Sequence, residues 1–221
     1  MRQFLRAGLL AVLLPAATVF SQTASEARIT VDYLNPGLIP AHWVLTLAPD
    51  GSGHFHSERG QAPAENAEVI DAPEVDRDVR LSAAFAARVY GAARHHGLFN
   101  EDCDGHMKVA FQGWKTLSYS GPEGHGSCRF NYSRDHEIQA LGDALVAAAS
   151  SILEGARLEK FLQHDRLGLD RELEHVANSG ADGRMMEIGA IRGILERLSE
   201  DPTVLERVRK RARQLLTRAG E

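Results

Sequence analysis

At Asp135 the hydrophobic residues of this 221-residue chain change their spacing. Before it, apolar side chains come in short runs parted by glycine and proline clusters, the texture of strands joined by turns. Beyond it they recur every three or four positions, the period of one helix face. Ile138, Leu141, Leu145, Ala149, Ile152 and Ala156 form the first such stripe. Strands first and helices afterwards predict an α+β fold. The expected architecture is a small antiparallel β-sheet with one packed helix over residues 28–134, then an all-helical region over 135–221.

Within the first region, residues 42–47 and 54–57 are β-rich and flank Pro49-Asp50-Gly51, which predicts a hairpin. Residues 57–80 are polar, hold Pro63 and Pro73, and read as a long surface loop. Leu81, Phe85 and Val89 predict a helix over 81–96 that stops at Gly97. Three short β-like runs follow at 108–111, 115–120 and 127–132. In the second region Gly155 is expected to bend or end the first helix, and further helices are expected over 170–178 and around Ile188 to Leu198. Asp201-Pro202 reads as the N-cap and first residue of the last helix.

The first residues read as a targeting segment. Arg2 and Arg6 precede a short apolar run, residues 7–20, interrupted by Pro15. A spanning helix needs about 20 apolar residues, so the run fits the core of a signal peptide, expected over residues 1–27 with cleavage after Ala27, or alternatively after Ser21. An exported destination, periplasmic or secreted, follows from it. In such a compartment the two cysteines, Cys103 and Cys128, predict one disulfide. The chain carries a formal charge of −5, and general nucleic-acid binding is excluded because it needs a basic footprint.

The ten histidines are the richest chemical lead. His54 and His56 stand two apart on an expected strand, so both leave the same face. They are the candidate metal ligands, zinc being the cofactor such a pair would hold, with a third ligand sought among Asp50, His42, His106 and His125. His95 and His96 close the first helix, where adjacent side chains point about 100° apart and the helix dipole already accounts for them. Asn100, Asp102, Asp104 and Gly105 match the start of a calcium loop, but Phe111 stands where the bidentate glutamate belongs. A polar turn is the expected structure there. No serine elbow is present, and His125, Cys128 and Asp135 are neighbours in sequence without a nucleophile frame.

The last helix carries Arg207, Arg209, Lys210, Arg211, Arg213 and Arg218. Two readings follow: contact with an anionic membrane, or pairing with Glu187, Glu196 and Glu200 as the helix packs. The expected function is an exported, non-catalytic binding or interaction module whose ligand is a protein or small molecule. Its recognition surface is expected at Asp50, His54, His56, Gly121, Gly124 and His125, on loops and strand ends of a rigid scaffold. A metal-dependent hydrolase built on His54 and His56 is the alternative.

Overall fold

The structure is a computed structural model that describes residues 26–60 and 72–220. The signal peptide expected over 1–27 therefore lies, apart from Glu26 and Ala27, outside the described residues. Six strands form one sheet: β1 (Arg28–Leu34), β2 (His42–Leu47), β3 (Ser52–Ser57), β4 (Val75–Arg80), β5 (Trp114–Gly121) and β6 (Gly124–Phe130). Their order is β4-β3-β2-β1-β5-β6, and every neighbouring pair is antiparallel.

Alternation decides the two faces, because successive side chains on a strand point to opposite sides. Ile29, Val31 and Tyr33 on β1, Trp43, Leu45 and Leu47 on β2, Phe55 on β3, and Leu117 and Tyr119 on β5 are buried on the inner face. Lys115 is a fully buried charged residue among them. Its Nζ donates to the Asn131 carbonyl at 3.3 Å, and burial lowers its pKa. The expected hairpin joins β2 to β3. Gly51 turns it with φ +83°, and a Cβ there would lie 2.4 Å from the Leu81 carbonyl oxygen.

Two readings of the strand region are corrected. Residues 57–80 are not all loop, since β4 occupies their last part and pairs with β3. Val-Asp-Arg-Asp-Val-Arg carries only two apolar residues, which conceals an edge strand. Val75 and Val79 fill the inner face, and between them Arg77 binds Glu159 at 2.8 Å. Charges of this kind suit a sheet edge, where they discourage pairing with another chain. Residues 108–111 form no strand, because the segment between the 3-10 turn Gly97–Phe99 and β5 is irregular, with Met107, Val109 and Phe111 exposed. The predicted disulfide pins that segment: Cys103 and Cys128 are bonded, with 5.6 Å between their Cα atoms.

Helix α1 (Ala83–His95) packs Phe85, Ala86, Val89, Tyr90 and Ala93 onto the inner face, and Ser82 caps it through a bond from the Phe85 amide. The Tyr90 hydroxyl reaches the carbonyls of Leu47 and Ala27 at 2.8 and 2.9 Å. Helix α2 (His136–His164) is 29 residues long, about 43 Å at 1.5 Å per residue. Its first half, from Ile138 to Ile152, joins α1 over the sheet. Its second half supplies Leu158 and Phe161 to a separate core. That second core is completed by α3 (Leu169–Ala181), the 3-10 turn Ile188–Ile191, α4 (Arg192–Glu200) and α5 (Glu206–Arg218). No helix among the described residues is long and apolar enough to cross a membrane.

Two boundary readings also change. Asp201 does not cap the last helix; its side chain accepts from the Thr203 amide at 2.8 Å, closing a turn, and α5 begins at Glu206. Val204, buried in the second core, holds that turn in place. Gly155 does not end α2, which runs on to His164. The 3-10 turn packs against it there, and a Cβ would lie 2.4 Å from Ile191 Cγ2. Alanine at 155 gains about 1 kcal/mol of helix propensity and loses about 1–3 kcal/mol to overpacking against a stiff β-branched side chain. We expect Gly155→Ala to destabilise by about 1 kcal/mol net on those terms, and Ile191→Ala in the same chain to reverse the sign of the Gly155→Ala effect. Urea midpoints of the four proteins check this.

Candidate functional site

Helices cover only the inner face of the sheet, so the outward positions of its strands form an open polar surface. The register fixes which side chains meet there. His54 on β3 lies opposite Asp78 on β4, and His56 opposite Asp76. His54 Nδ1 is 3.0 Å from Asp78 Oδ1 and its Nε2 is 3.1 Å from Asp76 Oδ1. His56 Nδ1 is 3.0 Å from the other oxygen of Asp76. On β2, His42 stands between Glu58 at 3.0 Å and Asp32 on β1 at 3.3 Å. The Asp78 hydrogen bond, helped by Asp76, raises the pKa of His54. Glu58, with Asp32, raises that of His42. Farther along the same face Ser118 and Ser127 share a hydrogen bond at 2.8 Å, and Arg129 lies over the Trp114 ring at 4.5 Å.

His54 and His56 thus share a face, as their spacing predicts. Their carboxylate neighbours are Asp76 and Asp78, which come from the strand hidden in the polar segment and not from Asp50, His42, His106 or His125. Asp76 lies between the two rings and offers each a different oxygen. Asp50, in the β2–β3 turn, accepts from Ser52 and faces Arg80 at 3.6 Å.

The β5–β6 turn, with Gly121 and Gly124, lies at the same end of the sheet because Arg28, which follows Ala27, pairs with Ser120. Strand β1 separates its hairpin from the β2–β3 hairpin, and its glycines are occupied structurally. A Cβ at Gly121 would sit 2.8 Å from Ala27 Cα, and Gly124 has φ +137°. Arg94 on α1 holds Glu123 of this turn at 3.0 Å. His125 is exposed on the outer face, opposite Ser120.

On the helix-covered side, His95 and His96 do converge, contrary to the helical geometry expected of adjacent residues. Helix α1 ends at His95, and His96 leaves it with φ −99° and ψ 38°. The rings come within 4.9 Å of each other and both face Glu137. Among the described residues, only His95, His96 and Glu137 offer three ligand atoms that all lie within 4.8 Å of one another. The resemblance to a calcium loop at 100–105 resolves into the expected polar turn: Asp102 accepts from the Asp104 amide at 3.2 Å and holds His106 at 2.8 Å. Cys128, being in the disulfide, is no nucleophile.

Four of the six basic residues of α5 are engaged, but with partners other than those expected. Arg207 and Arg211 bind Asp170 of α3, and Arg209 and Arg213 bind Glu206. Glu187 instead holds Ser82 at the start of α1, with the Ser82 amide at 2.6 Å, and Glu196 faces Arg192. No protein-family model matches the sequence, and no curated protein is significantly similar to it.

Proposed function

We propose that this chain is a non-catalytic interaction module of an exported protein, and that its recognition surface is the open face of the sheet on the β2–β4 side. One observation carries the reading: that half of the face gathers Asp32, Glu58, Asp76 and Asp78 around histidines and leaves them open to solvent. With the imidazoles neutral the patch is acidic, and its complement is a partner protein presenting Lys and Arg side chains. Size sets the strength of such a contact. Three strands spaced about 4.8 Å apart, each about 20 Å long, present roughly 300 Å². A stable complex buries about 800 Å² per partner, so the contact is a transient one. The polar composition agrees, because obligate interfaces are more apolar.

A lysine decapeptide and a glutamate decapeptide, each titrated into isotope-labelled protein, test the charge reading. The lysine peptide is expected to shift amides of β2, β3 and β4, and to lose affinity as salt rises above the level that screens exposed charges. Asp76→Asn with Asp78→Asn is expected to weaken it roughly five-fold or more, a difference of about 1 kcal/mol. Shifts that map elsewhere, or that survive both substitutions, overturn the proposal.

A further inference from the structure

The histidine pair at the end of α1 is bound up with carboxylates in a way that helix ends do not require. A helix dipole explains one imidazole near the last carbonyls. It does not explain why His96, only 8% exposed, has carboxylates at both ring nitrogens. Glu101 Oε1 is 2.7 Å from Nδ1, and Glu137 Oε2 is 3.3 Å from Nε2. His95 Nδ1 reaches the same Glu137 oxygen at 2.7 Å. Zinc bonds of about 2.05 Å place the corners of a tetrahedron about 3.3 Å apart. The His96–Glu137 separation already has that value. His95 is exposed and Glu137 half-exposed, so the remaining adjustments fall on side chains free to move.

We propose that His95 Nδ1, His96 Nε2 and a carboxylate oxygen of Glu137 bind a divalent transition-metal ion of the zinc class, with Glu101 positioning His96. Glu101 accepts a hydrogen bond from Nδ1–H, which fixes the tautomer that leaves the Nε2 lone pair for the ion, the arrangement that recurs behind metal-bound histidines. Two imidazoles and one carboxylate favour zinc and its neighbours over magnesium or calcium, which take oxygen ligands. Asp135 Oδ1 is 3.8 Å from His96 Nε2 but already accepts from the Glu137 and Ile138 amides as the cap of α2. It stays in that role, and the fourth position is open to water. Bound there, the ion ties the end of α1 to the start of α2. This site lies on the helix-covered side of the sheet and is independent of the open-face reading.

The test uses the full mature chain, disulfide intact and without a histidine tag, stripped with chelator and titrated with zinc sulfate. The expected result is one ion per chain, a melting temperature that rises with zinc, and a visible ligand-field spectrum with Co(II) of a tetrahedral site. His95→Ala and Glu137→Gln, both at exposed positions that leave the Asp135 cap in place, should each weaken binding by more than roughly 100-fold, since each removes a ligand. Glu101→Ala should weaken it by roughly 10- to 100-fold while the protein stays folded by circular dichroism. His54→Ala with His56→Ala should leave it unchanged. Zinc affinity weaker than about 0.1 mM, binding that survives His95→Ala and Glu137→Gln, or binding lost with His54 and His56 overturns the proposal.

Discussion

Replacing Cys103 and Cys128 together by alanine is expected to lower stability by about 3–4 kcal/mol. The bond closes a loop with a sequence separation of 25 residues, and in the chain-entropy model a loop of that size is worth about 3.5 kcal/mol at 25 °C. The location adds to this. Both cysteines are buried in the sheet core, and residues between them form an irregular segment ahead of β5. Apart from the disulfide, the bonds that hold that segment include the Glu101 contact with His96 at 2.7 Å, the Gly105 amide to the Tyr132 carbonyl at 2.7 Å, the Asn131 side-chain amide to the Ala110 carbonyl at 3.4 Å, the Gln112 amide to Asn131 Oδ1 at 2.7 Å, and the Tyr33 hydroxyl to the Gln112 carbonyl at 2.8 Å. Alanine is the informative substitution because serine would bury hydroxyls that also need partners. Denaturant unfolding gives the energy, and limited proteolysis gives the place. Cleavage around Met107 to Phe111 should appear in the variant or after reduction and be slow in the native protein. A variant within about 0.5 kcal/mol of the native protein would show that the remaining bonds hold the segment unaided.

The second large effect concerns Glu154, midway along α2. It is 4% exposed and lies beside Glu172 of α3, which is equally buried. Arg157 binds Glu172 at 2.9 Å but is 3.8 Å from Glu154, and Glu154 Oε1 has no hydrogen-bond partner. Burial first, and then the hydrogen bond and charge of Glu172, push the Glu154 carboxyl up to about 8, against an ordinary value of 4.5. The folded state therefore binds a proton that the unfolded state releases. A raised acid of this kind contributes its full stability below pH 4.5, and the contribution is lost as pH rises towards 8. The difference is of the order of a few kcal/mol, since each pKa unit corresponds to about 1.4 kcal/mol.

Glu154→Gln keeps the shape and a donor for Glu172 and removes the titration. It is expected to match the native protein near pH 4.5 and exceed it in stability by a few kcal/mol at pH 9. Paired urea titrations at those two pH values read the effect as a difference, which cancels the titrating groups that do not interact with Glu154. Parallel pH profiles for the two proteins would mean that Glu154 is ionised in the fold and stabilised by Arg157.

Much of this architecture is legible in the chain because periodicity is a local property. The period-two runs around His42–Leu47 and the period-3.6 stripe from Ile138 to Ala156 each report one element, and one element needs no knowledge of its neighbours. The α+β class, the hairpin at Gly51 and the helix that ends at His95 follow from signals of this range, and the Cys103–Cys128 bond from the presence of just two cysteines. Strand β4 does not, because an edge strand with Asp76, Arg77 and Asp78 in its middle has the composition of a loop. It becomes a strand only because β3 offers an unpaired edge and Arg77 finds Glu159 on a helix 82 residues away.

The same division separates the candidate sites. That His54 and His56 share a face is a consequence of their spacing. That Asp76 and Asp78 stand opposite them is a consequence of strand register, set by which side chains the sheet buries. His95 and His96 look divergent as helical neighbours, and only the backbone departure at His96 together with the start of α2 brings them onto Glu137. Glu154 reads as one polar residue on a long helix until α3 buries it. The sequence by itself determined most of the elements, their chemistry and the covalent cross-link. The tertiary structure decided which charges face which, because pairing between strands and packing between helices join residues whose separation along the chain leaves no local trace.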